Sequence, residues 1–159
     1  MPRKKTKSLQ RKVSPDRKYN SSLVQRMIQK SILDGKKYAA ENAVYEAIEI
    51  AAKKLKNDNP LEIFEKAIKN VYPSVEVKSR RVGGANYQIP FPVAGHRQQH
   101  LAYMWFVQAA RARKGMPYAE RLANEIVDAY NQTGSAFKKK EDTHRMAEAN
   151  RAFAHFARS

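Results

Sequence analysis

Apolar residues in this chain recur at three- and four-residue spacing over most of its length, and the period switches to two only once. That single switch constrains the fold more than any other feature. A helical period buries a stripe and a two-residue period buries a face, so the chain reads as a helical body carrying one β element. Val24, Met27, Ile28, Ser31 and Ile32 form the first stripe, behind capping side chains at Asn20 to Ser22 and before a stop at Gly35. A second helix is expected over about Lys37 to Lys56, with Ala40, Ala43, Val44, Ala47, Ile48, Ala51 and Leu55 on one stripe. Asn59-Pro60-Leu61-Glu62 opens a third as cap, first turn and capping-box acid, and Leu61, Phe64, Ala67, Ile68 and Val71 make its buried face.

Residues Val75 to Lys78 and Tyr87 to Ile89 then alternate with period two around Gly83-Gly84, the glycines that a tight hairpin turn needs. Pro73 closes the helix before them, and Pro90 and Pro92 are expected to end the second strand. A lone two-stranded ribbon is marginal in water, so its base should rest on the helices while its tip projects. Leu101, Met104, Trp105, Gln108, Ala109 and Ala112 define a fourth helix, ending at Lys114-Gly115. Pro117 opens a fifth with Ala119, Leu122, Ala123, Ile126 and Tyr130 inward, and a last helix should run from about Ala136 to Phe156. The expected fold is mainly α, a single helical domain of about six helices with a protruding two-stranded β-hairpin at about 74–92, between the third and fourth. Residues 1–18 lack helical periodicity and read as a flexible basic arm, leaving 19–159 as the folded domain.

Charge narrows the function. The chain carries 31 Lys and Arg against 15 Asp and Glu, a net charge of +16 with a pI near 10.1, which attracts phosphate polymers. The charge is segregated. Residues 1–18 hold eight basic residues and one acid, whereas 78–114 hold seven basic residues and none. With no cysteine there is no disulfide scaffold, thiol catalysis or Cys-ligated metal. The longest apolar run, Leu101 to Val107, is too short to span a membrane, and acids such as Glu41, Glu46 and Glu49 argue against a membrane-surface helix. An intracellular, nucleic-acid-binding domain is the expectation, with no membrane partner.

Several segments are candidates for that binding. Lys78, Arg80 and Arg81 stand beside the Val82-Gly83-Gly84 turn with no acid after Glu76, where guanidiniums can bridge phosphates or stack on bases. Arg3, Lys4, Lys5, Lys7, Arg11 and Lys12 make the arm a phosphate-tracking segment. Lys138, Lys139 and Lys140 offer a cationic helix face, softened by Glu141-Asp142. Gly35-Lys36-Lys37 lacks the earlier glycine and the Ser/Thr of a nucleotide loop, so it reads as two cations at a helix terminus. His96 and His100 have a metal-ligand spacing but sit in a cationic region without further ligands, so no metal or cofactor is expected. No nucleophile or paired-carboxylate pattern points to an enzyme. An architectural DNA-binding protein with a β-ribbon arm is the alternative that composition leaves open.

Three segments, DGKKYAAENAVYEAI at 34–48, VYPSVEVKSRRVGGANYQIP at 71–90 and KKEDTHRMAEANRAFAHF at 139–156, resemble the uS7 family of small-subunit ribosomal proteins, of the bacterial and organellar type. The likeness runs from about residue 13 to residue 156. It implies a cytoplasmic, ribosome-bound monomer that binds the 3′ major domain of small-subunit rRNA (16S type) and nucleates assembly of the subunit head. Neighbouring small-subunit proteins, exit-site tRNA and mRNA are the implied partners, and some family members repress translation of their own mRNA. Carried over by position, the arm, Lys36, Lys37, Lys78, Arg97, Arg111, Arg113, Lys114 and Lys138 to Lys140 would grip rRNA. Arg80, Arg81, Val82, Gly83, Gly84, Arg145, Asn150 and Arg151 would lie near tRNA and mRNA. Gly95 to His100 carries one arginine where the family usually has a denser cluster, and the ending FARS replaces an aromatic–Arg–aromatic one.

Overall fold

The computed structural model describes residues 13–158, so the arm residues Arg3, Lys4, Lys5, Lys7, Arg11 and Lys12 lie outside the described part. In chain order it contains α1 (Ser22–Ser31), α2 (Lys37–Leu55), α3 (Pro60–Val71), β1 (Val75–Val82), β2 (Ala85–Pro92), α4 (Gly95–Ala112), α5 (Tyr118–Tyr130), α6 (Gly134–Ala149) and a 3₁₀ segment, Arg151–Arg158. The expected helical domain with a hairpin between its third and fourth helices is what forms.

Small side chains set the packing of the body. Ala40, Ala47, Ala51 and Ala52 are buried beside Val44 and Ile48 on α2, whose main partner is α5, and short side chains let the two axes approach closely. On α3, Asn59 Oδ1 accepts the Glu62 N–H at 3.4 Å behind Pro60, as the capping signal predicts. Its buried face includes Ile63, while Leu61 is only half-buried. The expected stripe on α4 is wrong in a more instructive way. Gln108 and Ala112 are exposed, and Leu101, Ala102, Tyr103, Trp105, Phe106, Val107, Ala109 and Ala110 are all buried. Because α1, α3, α5 and α6 enclose this helix, it is apolar nearly all round and has no single stripe to read.

Asp16 anchors the entry to α1. The Asn20–Ser22 caps expected from sequence do not operate: no side chain caps the helix at Ser21. Instead Asp16, 3% exposed, accepts the N–H groups of Lys18 (3.0 Å), Tyr19 (2.8 Å) and Ser21 (2.8 Å) from outside the helix. Burial raises the pKa of this carboxyl, but the Tyr19 and Ser21 amides outweigh it and hold the group below its ordinary value. A carboxylate depressed in the folded state stabilises fully above its unfolded pKa, near 4, and stops doing so as the pH falls through the lower folded value. Asp16→Ala is therefore expected to cost about 1–3 kcal/mol at pH 7. Urea unfolding at pH 7 and pH 3 checks this, since the deficit should shrink at the acid end.

In the hairpin, Gly83 and Gly84 adopt φ of 57° and 90°, a type I′ turn closing the Val82–Ala85 pair. Pro90 does not end β2, which runs through it, and Pro92 is the last residue of the strand. They face Val77 and Val75 at positions that alternate with hydrogen-bonded pairs such as Ser74–Val93, where the Val93 N–H donates at 3.0 Å. A proline there removes only a donor directed away from the partner strand, so the ladder survives. Ile89 and Glu76 are buried on the ribbon face toward α6, which supports its base.

The last helix is also interrupted. Asn150 turns its side-chain amide back to the Met146 carbonyl at 2.8 Å, α6 stops at Ala149, and the chain continues as the 3₁₀ segment along β2. Tyr87 there meets Phe153 and Phe156, with ring centroids 5.1 and 5.4 Å apart.

Candidate nucleic-acid interface

Helix α1 turns its polar face toward the start of α4, and the two form a cationic cleft of about 420 Å³. Arg26 and Lys30 come from α1, Arg97 with His96 and His100 from α4, and Val13, the first described residue, lies at its edge; among the described residues no acid lines it. Arg26 is oriented by a hydrogen bond to the Gln99 side chain. Burial, reinforced by Lys30 and Arg97, pulls His100 below its usual pKa, so it enters the cleft as a neutral ring at neutral pH. Arg26 and Lys30 were missed in the sequence because they lie outside the acid-free stretch. Their four-residue spacing opposite the apolar stripe of α1 was the available signal.

A second cleft, of about 360 Å³, lies between the α1–α2 loop and the α4–α5 corner. It brings Lys36 and Arg111 together, two predicted contacts far apart in sequence. Lys37 and Lys114 are exposed at the adjoining ends of α2 and α4.

Other predicted cations are engaged by ion pairs or hydrogen bonds within the fold. Arg113 donates through Nε (3.1 Å) and an NH2 group (2.7 Å) to Glu125, which is fully buried, and also pairs with Asp128. The second Glu125 oxygen accepts the buried Ala136 N–H at 2.7 Å, so one carboxylate joins α4, α5 and the start of α6. Burial works against the Arg113 charge, but Glu125 and Asp128 more than offset it and raise its pKa. Arg113 is thus held by the fold through this pair. Lys140 donates to the Asn70 carbonyl at 2.6 Å and burial depresses its pKa, whereas Lys138 and Lys139 are exposed. Lys78 (2.8 Å) and Arg97 (3.2 Å) both pair with Glu76; burial would raise that carboxyl, and the two cations pull it below the usual range.

Residues 2–151 match the model of the ribosomal protein S7p/S5e family. The chain belongs to that family. It is similar to the small ribosomal subunit protein uS7 of Chloroflexus aggregans, 56% identical over 148 residues covering 93% of this chain and 94% of the relative. The uS7 proteins of Dictyoglomus thermophilum (58% identical, 92% of this chain and 93% of the relative) and Thermotoga petrophila (57%, 92% and 94%) are similar to it as well. A member of this S7 family is a structural component of the small ribosomal subunit and not an enzyme.

At the far end of this S7 fold, the hairpin separates its two arginines. Alternation places Arg80 on the face of Tyr87, where its NH1 group donates to the Phe156 carbonyl at 3.1 Å. Arg81 is exposed on the opposite face, beside Val82, Gly83 and Gly84 at the turn. Arg145 is exposed on α6, Asn150 serves as its C-cap, and Arg151 forms only an exposed pair with Glu148 at 3.4 Å. No helix among the described residues is long and apolar enough to cross a membrane.

Proposed function

We propose that this S7 family protein binds the 3′ major domain of small-subunit rRNA, nucleates assembly of the subunit head, and contacts exit-site tRNA and mRNA. It does so as a monomer beside neighbouring small-subunit proteins in cytoplasmic ribosomes. The observation that carries this reading is the acid-free α1–α4 cleft, whose edge at Val13 is where the basic arm joins the body. Arg26, Lys30, the arm, Lys36, Lys37, Arg111, Lys114, Lys138 and Lys139 neutralise phosphates brought close by RNA folding and release counterions. Side chains cannot read the deep groove of A-form RNA, so the helical body recognises the shape of a junction. Arg81, the Val82–Gly84 turn, Arg145 and Arg151 form the surface toward tRNA and mRNA.

Binding of the full chain to a 3′-domain rRNA fragment across a salt series, with length-matched duplex DNA as competitor, tests this. RNA should win by orders of magnitude at physiological salt. Equal affinity and equal slope would show only a polycation and favour the β-ribbon DNA-binding alternative. The two hairpin arginines should also behave differently. Arg81→Ala should leave melting unchanged within about 0.5 kcal/mol, as for an exposed side chain without a structural partner. Arg80→Ala should cost about 1 kcal/mol by releasing the 3₁₀ segment. Thermal unfolding of the two variants separates them, and neither should change affinity for the rRNA fragment by more than about two-fold.

A further inference from the structure

The cleft between the α1–α2 loop and the α4–α5 corner differs in chemistry from the α1–α4 cleft. Its floor is the Ala39–Ala40–Ala43 surface of α2, with Leu33 on the loop side, and its charged lining residues are Lys36, Arg111, Arg121 and Asp34. The far wall is fixed: Tyr118 Oη shares a hydrogen bond of 2.9 Å with Ser31 Oγ, and Arg121 is held over the Tyr118 ring. An NH1 group of Arg121 donates to the Arg113 carbonyl at 2.8 Å, and its buried Nε finds no acceptor among the described residues. A site built only for backbone phosphates needs cations and water. It does not need an apolar recess of about 360 Å³, which falls in the range of sites for small organic ligands.

We propose that this cleft takes one unstacked RNA base. The base lies on the alanine floor while Lys36 and Arg111 hold the phosphates on either side. Bases splayed out of a junction are the usual targets of specific RNA recognition, and apolar contact between a base face and alanine methyls does not depend on charge. The alanines make the recess, because any longer side chain at Ala39 or Ala43 would fill it. The inference rests on the rRNA-binding reading and adds a base to its phosphates.

Charge and shape can be tested separately. Lys36→Ala should make the salt dependence of rRNA-fragment binding shallower by about one unit, since a phosphate contact is lost. Ala43→Leu should weaken binding about ten-fold or more with the salt slope unchanged, because it fills the recess and leaves the cations in place. Ala43→Ser, which keeps the recess open, should bind like the parent chain. As a second reading that needs no substitution in α2, methyl NMR of alanine-labelled parent protein applies: Ala39 and Ala43 methyl signals should move upfield on adding the rRNA fragment, under the ring current of a base. If the parent chain prefers the fragment to DNA yet Ala43→Leu binds equally well, or the methyls stay unmoved, the base site is overturned and the rRNA reading stands. If the parent chain shows no preference for the fragment, the rRNA reading itself fails.

Discussion

Arg113→Ala is expected to lower the free energy of unfolding by about 3–5 kcal/mol, because it leaves the Glu125 carboxylate buried with its cationic partner gone. Glu125 has no exposed surface and its other oxygen is already used by the Ala136 N–H, so it cannot turn to solvent without uncapping α6. The paired variant Arg113→Met with Glu125→Gln should recover most of the loss, since the glutamine oxygen still accepts that N–H and no charge is stranded. Urea unfolding of the three proteins measures this, and a single-variant loss under about 1 kcal/mol would contradict the buried-pair account. Measured at equal folded concentration, Arg113→Ala should bind the rRNA fragment within about two-fold of the parent chain; a large drop with stability intact would return Arg113 to the binding surface.

Deleting residues 2–12 carries the largest expected effect on binding. The segment holds Arg3, Lys4, Lys5, Lys7, Arg11 and Lys12 and no acid, and it joins the body at the acid-free cleft. Losing about six phosphate contacts should make the slope of log affinity against log salt shallower by about four units and cost more than about a hundred-fold at physiological salt. Filter binding or fluorescence anisotropy across a salt series gives both numbers. A slope unchanged by the deletion would show the arm to be a bystander.

The hairpin and the six helices were legible because their signals are local. A change of period, two adjacent glycines and the Asn59-Pro60 cap each act within a few residues. What misled the reading were long-range facts. α4 has no stripe because helices from both halves of the chain surround it, and Gln108 and Ala112 fitted a pattern that did not apply. Arg113 sat in the acid-free run of residues 78–114, yet its partners Glu125 and Asp128 lie just beyond that run on the next helix. Counting acids along the chain cannot find a partner that arrives by packing. Arg26 and Lys30 went the other way: they are far from Arg97 in sequence, and only the packing of α1 on α4 gathers them into one cleft. Asp16 was counted as one negative charge in a basic arm, and its work on three backbone amides belongs to a turn that composition does not reveal.

The placement of Pro90 and Pro92 has a further consequence. A two-stranded ribbon is all edge, and a chain that must wait for its RNA partner offers that edge to other copies of itself. With no outward N–H at residues 90 and 92, the basal half of β2 cannot template a third strand, and the exposed Arg81 would set like charges against each other if two tips paired. The two prolines thus protect the free protein against strand-to-strand aggregation during synthesis, at no cost to the hydrogen bonds that hold the hairpin together.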